Sequence, residues 1–157
     1  MARDFLSVRL SYDAKYFIEK LKQHKQELLD KELANDLIER IEKDIVEKYV
    51  DELDCVSTTI ILKVSSASII ENAYQELYKK TPADWETYNS LMLSTKIDGE
   101  INVGSQTPRM FLKLEVIKWL ESLQETFKTD KGNNAKMSYV IKCVAHASYL
   151  ENKEKMD

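Results

Sequence analysis

Glycine, proline and cysteine are all scarce in this chain of 157 residues, which contains 3 Gly, 2 Pro and 2 Cys. Few Gly and Pro residues leave few obligatory turns, and this favours long helices. Cys55 and Cys143 cannot build a disulfide framework and lack CxxC spacing, so we expect reduced thiols. No run approaches the roughly 18 apolar residues of a membrane helix, and the first residues lack a signal-peptide pattern. We therefore expect no membrane association and a cytoplasmic location.

The charge is weak and unevenly divided. The net charge is -4, with 14 Lys/Arg against 20 Asp/Glu in residues 1–100 and 9 against 7 in residues 101–157. Neither part indicates a nucleic-acid surface by charge alone. The hydrophobic fraction of 43% suits one folded domain spanning residues 1–157. Only four basic residues are Arg, a bias that predicts an AT-rich genome, such as a low-GC bacterium, its phage or another mobile element.

The beginning of the chain alternates apolar and polar residues from Phe5 to Leu10, a pattern that predicts a strand over residues 5–10. Ser11 is a suitable N-cap for a helix from Tyr12. No Gly or Pro follows until after Leu53, but the apolar stripe changes face along this segment. We therefore predict a break near Asp30–Lys31, with Asp30 capping a second helix.

Residues 55–64 are rich in β-branched side chains and predict a second strand. Ser66 or Ser68 is a suitable cap for a helix from Ile69 to Tyr78. The sequence Thr81-Pro82-Ala83-Asp84 then resembles a capping box with Pro in the first turn, which predicts a helix to about Leu93.

Asp98-Gly99 predicts a hairpin near residues 95–103. Thr107-Pro108 repeats the Thr-Pro helix start, and we predict one central core helix from Pro108 to Phe127. A polar loop at 128–134 and a last helix at 135–152 complete the chain. The expected fold class is helix-dominated α+β, with about six helices packed on a small sheet.

Four aromatic residues have helical spacing and could form a partner surface: Tyr74, Tyr78, Trp85 and Tyr88. Tyr and Trp are common at binding hot spots, but the same spacing suits the core of two adjacent helices. We favour the core and keep the partner surface as the alternative.

Cys143 and His146 share a helical face, but no further ligands complete a zinc site and no orienting group completes a nucleophile. We expect packing here, with no catalytic residue, metal or cofactor. Lys128, Lys131 and Lys136 surround a flexible loop before the last helix and could hold an anion. A solvated connector is the favoured interpretation of that loop.

The segment from Phe5 to Ser11, followed by two helices, resembles the start of a ribbon-helix-helix DNA-binding protein. The resemblance covers residues 5–50 at most. It implies a dimer whose strand places Ser7 and Arg9 in the major groove. The first helix is longer than in that family, and the segment is not basic. We favour a strand that pairs with residues 55–64 inside its own sheet.

Three functions are compatible with these patterns. The favoured one is a non-catalytic protein-binding or assembly module, such as an inhibitor, an immunity or antitoxin-like protein, or a complex subunit. The alternative is a dimeric DNA-binding regulator that uses the N-terminal segment. An enzyme is the least favoured. A protein partner is expected, nucleic acid remains open, and a homo-oligomer is compatible with the patterns.

Overall fold

The computed structural model describes residues 2–156. Its elements in chain order are β1 Arg3–Ser7, α1 Tyr12–Leu33, α2 Leu37–Lys48, α3 Ser66–Leu77, α4 Pro82–Met92, β2 Arg109–Lys113, α5 Leu114–Thr126 and α6 Met137–Met156. Six helices and one two-stranded antiparallel sheet in this part of the chain confirm the predicted helix-dominated α+β class.

The chain divides into two compact units. The body unit comprises Met1–Lys22 and Ser65–Asp157, and the acidic unit is Gln23–Val64. Helix α6 lies at the centre of the body unit and packs against α3, α4 and α5. Its buried residues are Val140, Ile141, Cys143, Val144, Ala145, His146, Ala147, Ser148 and Asn152. The central helix is therefore α6, and not the segment from Pro108 as predicted.

The sheet joins the two strands with Phe5 opposite Phe111 and Ser7 opposite Arg109. The predicted first strand is confirmed, although it occupies Arg3–Ser7 rather than residues 5–10. Met110 and Leu112 are buried, whereas the alternate residues of β2 face away from the core. This alternation identifies Arg109–Lys113 as a strand, so the prediction of a helix from Pro108 was wrong for residues 108–113.

Side-chain caps begin three of the helices. The backbone amide of Ala14 donates to Ser11 Oγ at 3.3 Å, as predicted for the start of α1. Thr81 and Asp84 form the predicted capping box of α4. Ser65, rather than Ser66 or Ser68, caps α3, and Ser68 completes that box from inside the helix. In each case the cap satisfies amides that have no partner within the helix.

The break between α1 and α2 is real but lies at residues 34–36, not at Asp30–Lys31. Asp30 remains helical, and its carbonyl accepts from the Ala34 amide at 3.0 Å. Asp36 has a left-handed backbone with φ of 59°. Asp tolerates that conformation better than most residues, and α2 begins directly after it.

Two predicted β elements are absent from the described chain. Residues 55–64 form no strand, because no neighbouring strand offers them a ladder and their β propensity alone does not create one. The segment near 95–103 turns at Asp98-Gly99 without forming a hairpin. There the Asp98 side chain accepts from the Glu100 amide at 2.9 Å, and Tyr12 donates its hydroxyl hydrogen bonds to the carbonyls of Asp98 and Ile101.

Candidate functional site

The acidic unit has no buried side chain. All of its residues, 23–64, are described, and none of them belongs to the core. Its large apolar side chains that are clearly exposed are Leu28, Val46, Tyr49, Val50, Val56 and Ile61. A segment of this size normally buries apolar side chains to offset the entropy of ordering its backbone. The acidic unit therefore presents apolar surface that its own fold leaves uncovered.

Helix α2 organises part of this surface. At 100° per residue, Leu37, Ile38, Ile41 and Ile45 fall within one third of the helix circumference. These four residues form the α2 stripe, and each is only half-buried. Apolar residues on one side of a helix and polar residues on the other are typical of a helix that packs against another surface. In this helix no residue of that side is fully covered.

Acidic side chains border the α2 stripe on both sides. Glu42 follows one edge of the stripe and Asp44 the other, as the helical positions require. The acidic unit as a whole carries 6 Lys/Arg against 11 Asp/Glu, so its net charge is -5 in a chain of net charge -4. Apolar surface and negative charge thus coincide in one segment.

Residues 57–64 add a second unpaired feature to the acidic unit. Within the described chain, no backbone hydrogen bond involves any of these residues. Ile60, Leu62 and Val64 are half-buried, whereas Ile61 and Lys63 are exposed. This alternation is typical of an extended segment with one covered face. Its backbone donors and acceptors are free to pair with another chain.

The four predicted aromatic residues divide between core and surface. Trp85 is 2% exposed and belongs to the core, whereas Tyr78 is 45% exposed. Tyr74 and Tyr88 are half-buried. Ring contacts of 5.3 to 6.3 Å connect the four through Trp119. Burial is the main cause that raises the pKa of Tyr88, and its hydrogen bond to Glu151 acts in the same direction. The row packs α3, α4 and α5 together, and its exposed end remains a candidate partner surface.

Ser7 and Arg9 do not project from one strand. Ser7 is the last residue of β1, and Arg9 lies beyond it in the loop before α1. Arg9 instead lines a hollow of about 400 Å³ with Tyr139 and Lys142. Strand β1 pairs with β2, so the expected pairing with residues 55–64 was wrong. The arrangement therefore differs from the one that the ribbon-helix-helix resemblance implies for Arg9.

The predicted anion loop is open to solvent. Lys128 and Lys136 line a hollow of about 600 Å³ together with Asp130, and Lys131 is exposed but does not line it. The Gly132 amide donates to the Thr129 carbonyl at 2.8 Å, so local hydrogen bonds hold the turn. Asp130 offsets part of the positive charge at this hollow.

Cys143 and His146 are both buried in the core, and Nε2 of His146 is paired with Thr95 rather than with the thiol. Burial raises the pKa of the Cys143 thiol to about 11, which makes it a poor nucleophile at neutral pH. Nε2 of His146 lies 2.9 Å from Thr95 Oγ1. Because that hydroxyl donates to the Leu91 carbonyl at 3.0 Å, His146 is the donor and its Nδ1 is a buried acceptor without a partner. Burial lowers the pKa of His146 to about 4.

A carboxylate hub joins α3 to α6. Glu76 accepts hydrogen bonds from Asn72 at 2.6 Å, Ser148 at 3.1 Å and Asn152 at 2.8 Å. Ser148 and Asn152 are buried. The three donors satisfy this carboxylate within the fold, so the geometry indicates a structural role.

The outer face of the sheet is a further surface that the sequence did not reveal. Phe5 and Phe111 are 51% and 47% exposed, and their ring centroids lie 4.7 Å apart. The guanidinium of Arg109 lies 3.9 Å from the centroid of Phe5. A helical interpretation of residues 109–113 hid this pairing. The alternation of Arg109, Phe111 and Lys113 with buried neighbours was the signal that could have revealed it.

Residues 2–156 contain no group of three or more His, Cys, Asp or Glu side chains placed to hold a metal ion. No helix in the same range is both long and apolar enough to cross a bilayer.

Comparisons with protein-family models, with curated proteins and with solved structures found no match for this chain.

Proposed function

We propose that the chain is a non-catalytic protein-binding module that contacts its partner through the acidic unit, Gln23–Val64. The observation that carries this proposal is the absence of any buried side chain throughout that unit, despite its amphipathic helix. Covering apolar surface contributes roughly 25 cal/mol for each Å² removed from water. A partner that covers the α2 stripe gains this contribution and stabilises the helix.

The partner that fits is a protein segment with an apolar face bordered by Lys or Arg. The α2 stripe supplies apolar contacts at the helical spacing used when a helix lies in a groove. Glu42 and Asp44 border it with negative charge, and the unit's net charge of -5 attracts a cationic partner.

The extended segment at residues 57–64 supports the same proposal by a different mode of contact. Its unpaired backbone can receive a strand from the partner, and alternate side chains would then select the sequence that binds. The two features lie within one unit, so a single partner could use both.

A matched pair of variants tests the proposal. Ile41→Asp places a charge in the α2 stripe. Val46→Asp introduces the same charge outside the stripe, at a residue that is 45% exposed. Tagged wild-type, Ile41→Asp and Val46→Asp proteins are used to purify partners from the source organism, and each recovered partner is then titrated in purified form. We expect a stoichiometric partner that binds wild type and Val46→Asp equally and binds Ile41→Asp at least tenfold more weakly.

The expected binding also weakens with added salt, because the borders of the stripe are charged. Circular dichroism and thermal unfolding of both variants establish that they retain the fold. Equal binding of the purified partner to wild type and Ile41→Asp would overturn the assignment of the α2 stripe. A partner retained only through the body unit would overturn the role of the acidic unit.

A further inference from the structure

The outer face of the sheet carries two aromatic rings between two guanidinium groups. Its residues are Arg3, Phe5 and Ser7 of β1 and Arg109, Phe111 and Lys113 of β2. Phe5 and Phe111 are direct cross-strand neighbours, and each ring is about half exposed. Natural sheets usually cover such large apolar groups. The exposed pair is therefore available to a flat ligand.

Arginine is concentrated at this face. The chain has four Arg residues, and two of them, Arg3 and Arg109, lie on the sheet face. Arg109 stacks on Phe5 at 3.9 Å, and Arg3 lies 6.0 Å from the centroid of Phe111. Stacking orients a guanidinium and leaves its N–H groups available at the edge.

The two arginines differ in their ion pairs. Arg3 pairs with Glu71 of α3, and Lys113 lies 3.9 Å from the same carboxylate. Arg109 forms no ion pair with any carboxylate among residues 2–156. Its charge is therefore not neutralised by the described chain, and it is the cation best placed to bind an anion.

A cleft of about 470 Å³ adjoins Arg109. Lys15 and Lys22 also line it, and Glu19 is the one carboxylate among its lining residues. Lys15 donates to the Gly104 carbonyl at 3.3 Å, and Lys22 pairs with Glu19 at 3.2 Å. The cleft thus continues the positive charge of Arg109 away from the aromatic pair.

We infer that this face binds a single strand of nucleic acid, with bases against Phe111 and against the stack of Arg109 on Phe5, and with phosphates at the edge of Arg109 and in the adjoining cleft. Aromatic side chains on a sheet stack unpaired bases, and neighbouring cations contact the backbone. A duplex does not offer its base faces for such stacking. This site is separate from the proposed protein contact on the acidic unit and does not depend on it.

The test is fluorescence anisotropy with labelled ten-nucleotide strands of deoxythymidine and of uridine. We expect saturable binding at about 50 mM salt that weakens markedly at about 200 mM salt. Phe5→Leu combined with Phe111→Leu keeps apolar side chains but removes both rings, and should weaken binding about fivefold or more. Arg109→Gln should weaken binding and reduce its salt dependence.

Matched controls lie elsewhere on the chain. Tyr78→Leu removes an exposed aromatic ring from the α3 end, and Arg40→Gln removes an arginine from α2. Both should bind within about twofold of wild type if the sheet face is the site. Thermal unfolding establishes whether each variant is folded. If the double Phe variant does not fold, the comparison of Arg109→Gln with wild type tests the inference.

Several results would overturn the inference. They are no oligonucleotide binding by wild type at low salt, unchanged binding by folded sheet-face variants, or binding of a ten-base-pair duplex as tight as that of the single strand. Binding of thymidine monophosphate as tight as that of the ten-nucleotide strand would also overturn it, because a nucleotide pocket would then replace a strand-binding face. Absence of binding would leave the rings as a contact for another protein.

Discussion

The side chain of His146 donates from Nε2 to Thr95 Oγ1 across 2.9 Å and has no partner at Nδ1. Phe17 packs against the same imidazole with ring centroids 5.0 Å apart. The ring is completely buried, and burial lowers its pKa from 6.5 to about 4. The positive charge of Lys142 acts in the same direction. A neutral histidine is therefore part of the core.

The lowered pKa of His146 predicts that the protein loses stability in acid. Between pH 6.5 and about 4 the unfolded chain binds a proton at His146 that the folded chain does not bind. Its contribution to the free energy of unfolding is therefore retained at neutral pH and falls as the pH falls through this range, by about 1 to 3 kcal/mol. Urea unfolding at pH 7 and pH 4.5 measures the loss. His146→Gln should reduce the pH dependence, whereas equal pH dependence in wild type and His146→Gln would refute the assignment.

Removal of the Glu76 carboxylate should lower the stability of the protein at neutral pH. Glu76→Ala removes the acceptor for the buried donors of Ser148 and Asn152, and buried groups without partners are costly. We expect the free energy of unfolding at pH 7 to fall by about 2 to 4 kcal/mol. Glu76→Gln, which keeps one oxygen acceptor, should cost less. Urea unfolding of both variants checks the prediction, and Glu86→Ala at an exposed position is the control. A change in the free energy of unfolding below about 0.5 kcal/mol for Glu76→Ala would contradict it.

The capping box of α4 should also be measurable. The amide of Asp84 donates to Thr81 Oγ1 at 3.3 Å, and the amide of Thr81 donates to the Asp84 carboxylate at 2.9 Å. Thr81→Ala removes one half of this exchange and should lower the free energy of unfolding by about 0.5 to 2 kcal/mol. Thr81→Ser, which keeps the hydroxyl, should be close to wild type. Thermal unfolding distinguishes the two, and equal melting temperatures for Ala and Ser variants would count against the cap.

The two thiols should differ in reactivity. Cys55 is exposed, whereas Cys143 is buried with its pKa raised to about 11. Iodoacetamide at pH 7.5 should modify Cys55 in the native protein and reach Cys143 only after unfolding, because the thiolate is the reactive form. Peptide mapping after timed labelling measures both rates. Labelling of Cys143 as fast as that of Cys55 in folded protein would contradict the buried position.

Much of the fold was predictable from local chemistry. The Thr81-Pro82-Ala83-Asp84 sequence and Ser11 specify helix starts through short side-chain to backbone hydrogen bonds, and both predictions were confirmed. The change of apolar face along residues 12–53 predicted a break, and the structure has one, although the second apolar face, the α2 stripe, lies against no core. The position of the break depended on the left-handed backbone at Asp36, which the apolar pattern does not encode.

The errors about strands share one physical cause. Strand formation requires a neighbouring strand, and the partner of β1 was hidden in Arg109–Lys113, directly before a helix. Residues 55–64 had the stronger β propensity but lacked a ladder. The exposed Phe5 and Phe111 pair depends on that long-range register. The apolar residues of α2 were visible in the sequence, but whether the fold covers them is a property of tertiary packing.

We propose that the acidic unit is the protein-contact surface. Hydrogen–deuterium exchange of the free chain should show fast exchange at residues 57–64, whose amides have no backbone partner, and slower exchange in α6. Addition of the purified stoichiometric partner should then slow exchange in α2 and at residues 57–64, and this protection should be lost in Ile41→Asp but not in Val46→Asp. Protection confined to the body unit, with exchange in the acidic unit unchanged, would contradict the proposed function.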